Sequence, residues 1–149
     1  MAVDRKLLER ARRNPEALGF DEAVRLCREL GFEKVRQIRG HRIFRRPPAL
    51  RPLNLQEGKR GRAKAYQVEH LVRATAPDEP ALRAAVPDAA ACSYRVSWSV
   101  RDEECVATCE EIAGLSGIAP TPEGAIAQLK LVLAAWLDYV AGARNALQT

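Results

Sequence analysis

Hydrophobic positions change period four times along this chain. Val24, Leu26, Cys27 and Leu30 recur at helical spacing, which predicts a helix with Asp21 as its N-cap and Gly31 at its end. The charged stretch before it predicts a first helix, interrupted between Asn14 and Phe20 by Pro15 and Gly19. From Phe32 to Ile38 and from His41 to Arg46 the pattern is that of strands, joined by a tight turn at Arg39 and Gly40. Pro47, Pro48 and Pro52 then break the pattern ahead of Leu53-Asn54-Leu55-Gln56, which alternates like a short third strand. Ala65, Val68, Leu71 and Val72 share one face of a further helix. The first half is therefore α, three strands, then α: a small sheet with helices on one side.

In the second half, Tyr94, Val96, Trp98 and Val100 alternate with Arg95, Ser97 and Ser99, the signature of a half-buried strand. Trp98 and Trp136 are expected in the core of this unit. Arg101 to Glu104 should reverse the chain into a strand from Cys105 to Cys109, and a segment around Leu115 adds another. Thr121 caps a helix with Pro122 at its first position and Glu123 in its first turn. Ile126, Leu129, Leu133, Trp136 or Leu137, and Val140 follow on one face, giving β-β-(β)-α. Residues 76–91 hold three prolines and many alanines without a hydrophobic period, as a semi-stiff linker does. The expected domains are 1–75 and 92–149, and the class is α+β.

Charge sharpens the division. Residues 1–75 carry 19 Lys and Arg against 9 Asp and Glu, whereas residues 76–149 carry 5 against 10. One unit thus suits a polyanion and the other a basic surface, although a single domain with two differently charged faces would give the same totals. Aromatics at 5% argue against a base-stacking sheet. The chain has 149 residues, which excludes a large multidomain enzyme. Its start is too charged for an export signal, and its longest apolar run, Leu131 to Leu137, is too short to span a bilayer, so no membrane association and a cytoplasmic location are expected. Cys27, Cys92, Cys105 and Cys109 should be reduced packing thiols. Cys105 and Cys109, four apart in a strand, lie roughly 13 Å from each other, too far to share an ion, so no metal or other cofactor is expected.

Residues 20–46, followed by NLQEGKRGRAKAYQVEHLVRA at 54–74, resemble the HicA family of bacterial toxins. That resemblance implies a small ribonuclease with a double-stranded-RNA-binding-domain-like (dsRBD-like) fold. The family presents a catalytic histidine three residues before an aromatic, and His41 stands three before Phe44 in RGHRIFRRP. Arg39 and Gly40 occupy the places of the family's usual Gly and Ser/Thr. Residues 94–140, with YRVSWS, VATCEEIAGLS and TPEGA, are similar to the N-terminal part of HicB antitoxins. This implies a partial RNase-H-like β-β-β-α unit that binds the toxin and covers its site. The operator-binding segment usual in free-standing HicB proteins is not present in the sequence, so operator DNA is not an expected partner.

Together these resemblances imply a toxin fused to its inhibitor: a latent, metal-independent endoribonuclease (mRNA interferase) masked within one chain or by exchange in a homodimer. His41 would supply one proton-transfer role of RNA scission, since imidazole titrates near neutrality. Tyr66, Lys59, Lys64 or water would supply the other. Arg39, Arg42, Arg45, Arg46, Lys59, Arg60, Arg62 and Lys64 are candidates for binding RNA phosphates. Asp102, Glu103, Glu104, Glu110 and Glu111 are candidates for facing that basic surface in place of RNA. His70 is expected on a helix surface. Two other functions fit the same patterns: an RNA-binding module without cleavage, and an interaction module in which residues 92–149 neutralise a separate toxin.

Overall fold

The computed structural model describes residues 2–47, 51–73 and 92–148, with side chains described through residue 143. The expected linker at 76–91 lies outside the described residues. The class is α+β: among the described residues there are four α-helices and two three-stranded antiparallel sheets.

Helix α1 (Arg5–Arg13) starts at Asp4, whose side chain accepts from the Leu7 N–H at 3.1 Å. Helix α2 (Phe20–Glu29) begins two residues earlier than a cap at Asp21 implies. Gly19, not Asp21, is its N-cap, because Phe20 is drawn into the core and Glu22 reaches back to accept from the Gly19 N–H at 3.0 Å. Strands β1 (Glu33–Ile38), β2 (His41–Arg45) and β3 (Pro52–Gln56) follow in spatial order β1-β2-β3. Both residues of the β1–β2 turn, Arg39 and Gly40, have positive φ (41° and 81°), the geometry that matches the twist of a two-residue hairpin. Helix α3 (Ala65–Arg73) completes this unit.

Register separates the two faces of the first sheet. Phe44 pairs with Leu53 and Arg42 with Leu55, and Phe44, Leu53 and Leu55 join Leu18, Leu26 and Leu71 in a core beneath the helices. His41 pairs with Gln56 and Ile43 with Asn54, so these four side chains share the opposite face. That face is covered by the second unit. Ile43 belongs to the core of the second unit, beside Leu129, Leu133 and Trp136.

The second sheet has the order β4 (Tyr94–Ser99), β5 (Glu104–Cys109), β6 (Ser116–Ala119). Helix α4 (Pro122–Gln148) begins at Thr121, whose Oγ1 accepts from the Gly124 N–H at 3.1 Å. It lies against β6 and β5 and reaches across to β1. Gly117 permits the close approach, since a Cβ there would stand 2.3 Å from both the Ala125 oxygen and the Leu129 nitrogen. By length and apolar composition, Pro122–Ala143 is sufficient to cross a bilayer, contrary to the expectation from the short apolar run. Its Ala125, Leu129, Val132, Leu133, Trp136 and Val140 are buried against the two sheets.

Trp98 is not a core residue. Its register partner Cys105 puts it on the α4 side of the sheet, but α4 is centred over β5 and β6 and covers only the Tyr94 end of the edge strand. Val96, Trp98 (58% accessible) and Val100 are exposed, whereas Trp136 is buried as expected.

Candidate functional site

The uncovered polar groups of β2 and β3 determine where the site forms. A strand buried on both faces has little use for amides, yet β3 carries Asn54 and Gln56 two residues apart on the face toward the second unit. Their spacing matches that of Ser116 and Ile118 on the edge of β6. The Asn54 side chain accepts from the Ser116 N–H at 2.8 Å and donates to the Ser116 carbonyl at 2.9 Å. Gln56 does the same for Ile118, at 3.3 and 3.0 Å. Two side chains thereby satisfy a strand edge that would otherwise be buried without partners. Gln67 of α3 extends the network, accepting from the Gln56 N–H at 2.6 Å and donating to Ser116 Oγ at 2.9 Å.

His41 sits at the centre of this seam and is fully buried. Its Nε2 lies 2.7 Å from Gln128 Oε1 of α4, and its Nδ1 lies 3.2 Å from the Asn54 amide nitrogen. The amide oxygen can only accept and the amide nitrogen can only donate, so the partners assign a neutral ring protonated at Nε2. Burial holds the ring's pKa below its ordinary value, against the smaller opposing effect of the Gln128 hydrogen bond.

The acidic hairpin between β4 and β5 lands on the start of α3. Asp102 accepts from the N–H groups of Ala65 (2.7 Å) and Tyr66 (2.9 Å), capping the helix from the other unit. Ser99 Oγ, at 2.8 Å, fixes the same carboxylate. Glu104 pairs with Lys64, and both side chains are largely buried. Oriented N–H groups, a helix N-terminus and a lysine make a place for an anion, and carboxylates fill it.

Comparison with known proteins adds no relative: no protein-family model matches the chain, nor does any curated protein or solved structure. The chemistry of the site therefore rests on its own geometry.

Only part of the expected acidic set faces the first unit. Asp102 and Glu104 do. Glu103 is exposed at the hairpin turn with φ 54°, and it makes no ion pair among the described residues. Glu110 pairs with Arg95 at 2.6 Å, and Glu111 accepts from the Ser93 N–H, so both are engaged within their own unit. Arg101 reverses the expected polarity by reaching Glu16 (2.6 Å) and Glu69 (3.1 Å) of the first unit.

The basic candidates divide too. Arg39, Lys59, Arg60 and Arg62 are exposed. The Glu57 N–H donates to the Gly40 carbonyl at 3.2 Å, which brings the Arg39 turn and the 58–62 loop to one end of the sheet. Arg42 and Arg46 lie instead over the rings of Phe20 and Phe32, at 5.1 and 5.2 Å from the centroids. They pack against the helical side of the unit, away from His41. Arg45 shares the His41 face and is half-buried.

His70 is half-buried rather than exposed on its helix. With Tyr66 and Leu115 it lines a cavity of about 200 Å³ between the units, and burial, with Arg73 adding to it, lowers its pKa. Periodicity alone does not reveal Gln128, Asn54, Gln56, Gln67 or Ser116 as parts of the seam. The available signal was the pair of amides in a strand otherwise made of Leu and Pro.

Proposed function

We propose that the chain is a latent RNA-acting protein of the HicA–HicB kind, a dsRBD-like ribonuclease unit masked by a partial RNase-H-like unit. The observation that carries this reading is the seat of Asp102 on the N–H groups of Ala65 and Tyr66, beside the Lys64–Glu104 pair. An RNA phosphate would use the same donors, and the exposed Arg39, Lys59, Arg60 and Arg62 would continue the backbone contacts at the adjoining end of the sheet. The second unit thus stands in for the substrate's charge.

Withdrawal of α4 would remove Gln128 from His41 and return the ring to solvent, where its pKa rises toward the range useful for proton transfer. Masking and silencing then share one movement. The working compartment of such a protein is the cytoplasm, and its partner when unmasked is RNA.

A second reading, RNA binding without cleavage, is favoured by the groups in hydrogen-bond reach of His41. Both are amides, Asn54 and Gln128, and neither transfers a proton. One experiment addresses both readings. The full chain and its Asp102→Lys/Glu104→Lys variant are incubated with a labelled structured RNA at low and high salt, each with His41 or His41→Ala. Salt-sensitive binding in the charge-reversed protein, with cleavage only when His41 is present, is the expected result. Binding with no products in either background selects the second reading, and no gain in binding by a folded charge-reversed protein defeats both.

A further inference from the structure

We propose that Cys92, Cys109 and Glu111 form a binding site for a thiophilic divalent cation of the zinc class, where the start of β4 meets the end of β5. The two sulfur atoms and a Glu111 carboxylate oxygen all lie within 4.8 Å of one another. Cys109 Sγ is 3.3 Å from Glu111 Oε2. Bonds of roughly 2.3 Å to sulfur and roughly 2.0–2.2 Å to oxygen place neighbouring donors of a tetrahedral site roughly 3.5–4 Å apart. Small side-chain rotations close the difference.

Strand register gathers these groups although they are scattered in sequence. Tyr94 pairs with Cys109 at the end of the β4–β5 ladder, so Cys92 arrives two residues beyond it. The Ser93 N–H donates to both oxygens of Glu111, at 2.7 and 2.9 Å, and turns that carboxylate back toward the thiols. Such outer contacts are what orient a metal ligand. Cys109 is buried while Cys92 and Glu111 are half-buried, so the cluster has both a sheltered sulfur and a way in from solvent. Two thiolates select a soft ion over calcium or magnesium, which take oxygen donors. Three protein ligands leave the fourth position to water.

Binding replaces two thiol protons, which pass to solvent, and the ion joins both sulfurs and the carboxylate. Cys105, which the strand keeps apart from Cys109, instead approaches the Pro120 carbonyl at 3.8 Å and takes no part. A loaded site would tie Cys92, the first described residue of the second unit, to the β5–β6 connection that carries Leu115 into the His70 cavity. The inference is independent of the RNA reading.

The test uses the full-length chain, reduced, stripped of metal and titrated with cobalt(II), then displaced with zinc(II). Expected are one equivalent per chain and the thiolate-to-cobalt charge-transfer absorption of sulfur ligation. Cys92→Ser and Glu111→Gln should each weaken binding by about tenfold or more. Both positions are half-buried, and circular dichroism verifies that the variants fold. Cys105→Ser should bind as the parent does. The absence of charge-transfer absorption, binding well below one equivalent, or an equal loss in Cys105→Ser would each overturn the assignment. So would a Cys92–Cys109 disulfide forming in air under saturating zinc.

Discussion

The imidazole of His41 and the side-chain amide of Gln128 meet at 2.7 Å across the boundary between the two units, 87 positions apart in sequence. With Asn54 on its other nitrogen, the ring has both hydrogen-bonding positions filled and no contact with solvent. A buried imidazole so completed is held as a neutral group, because the Asn54 amide donates to Nδ1 and leaves no place there for a second proton, while Gln128 takes the Nε2–H. Gln128→Leu strands the Nε2–H without an acceptor and should cost about 1–3 kcal/mol in urea denaturation. Gln128→Glu should instead favour the charged ring and move its NMR titration upward. An unmoved titration in Gln128→Glu would mean that the two side chains are not in contact in solution.

Acid should loosen the molecule at a pH set by its histidines. Burial lowers the folded-state pKa of His41 and of His70, whereas unfolded histidine titrates near about 6.5. Between the folded and unfolded values the native state binds fewer protons than the unfolded state, so stability rises with pH there and levels off above. The urea midpoint is therefore expected to be level between about pH 7 and about pH 8, below the range in which the thiols of an unfolded chain ionise, and to fall as pH drops below about 6.5. The carboxylates with lowered values, such as Glu22, which Arg10 and the Gly19 N–H hold down, act in a separate and more acidic window. His41→Gln with His70→Gln should flatten the upper part of the profile. A parent protein with no change down to about pH 5 would contradict the burial of both rings.

The two tryptophans should behave as opposites. Trp136 is 3% accessible and Trp98 is 58% accessible. Iodide should quench one fraction of the fluorescence and spare the other, and Trp98→Phe should remove the quenchable fraction. Because Trp98 contributes little to the core, its replacement should change stability by no more than about 0.5 kcal/mol. A loss of several times that would place Trp98 in an interface this structure does not contain.

Features written in consecutive residues were legible from sequence. The Arg39-Gly40 hairpin, the helix end at Gly31 and the Thr121-Pro122 start of α4 depend on local backbone preferences, and all are present. What escaped depends on which surface covers which. Alternation in β4 correctly placed Tyr94, Val96 and Trp98 on one face, but only the position of α4 decides whether that face is covered. Asn54 and Gln56 have the polar pattern of a solvent face, and only the unpaired edge of β6 gives them another use. Charge counting likewise pointed to an acidic unit facing a basic one. It had no means of sorting Asp102 and Glu104, which cross the boundary, from Glu110 and Glu111, which bond to Arg95 and Ser93 beside them.

Two glycines in and around α4 make the packing argument quantitative, because the same substitution should act with opposite sign at each. At Gly117 a methyl group would stand 2.3 Å from backbone atoms of Ala125 and Leu129, and backbone inside a helix cannot turn aside as a side chain can. Gly117→Ala must lift α4 from β6, disturbing Leu129 and Leu133, and should cost at least about 1–3 kcal/mol. At Gly142 the added methyl meets nothing within 4 Å, and the residue sits within α4. There alanine removes only the excess freedom of the unfolded glycine and should stabilise by about 0.5–1 kcal/mol. Thermal or urea denaturation of the two variants beside the parent checks both signs. A tolerated Gly117→Ala would show that α4 does not lie on β6 at this distance, and with it the placement of Gln128 over His41 would fall.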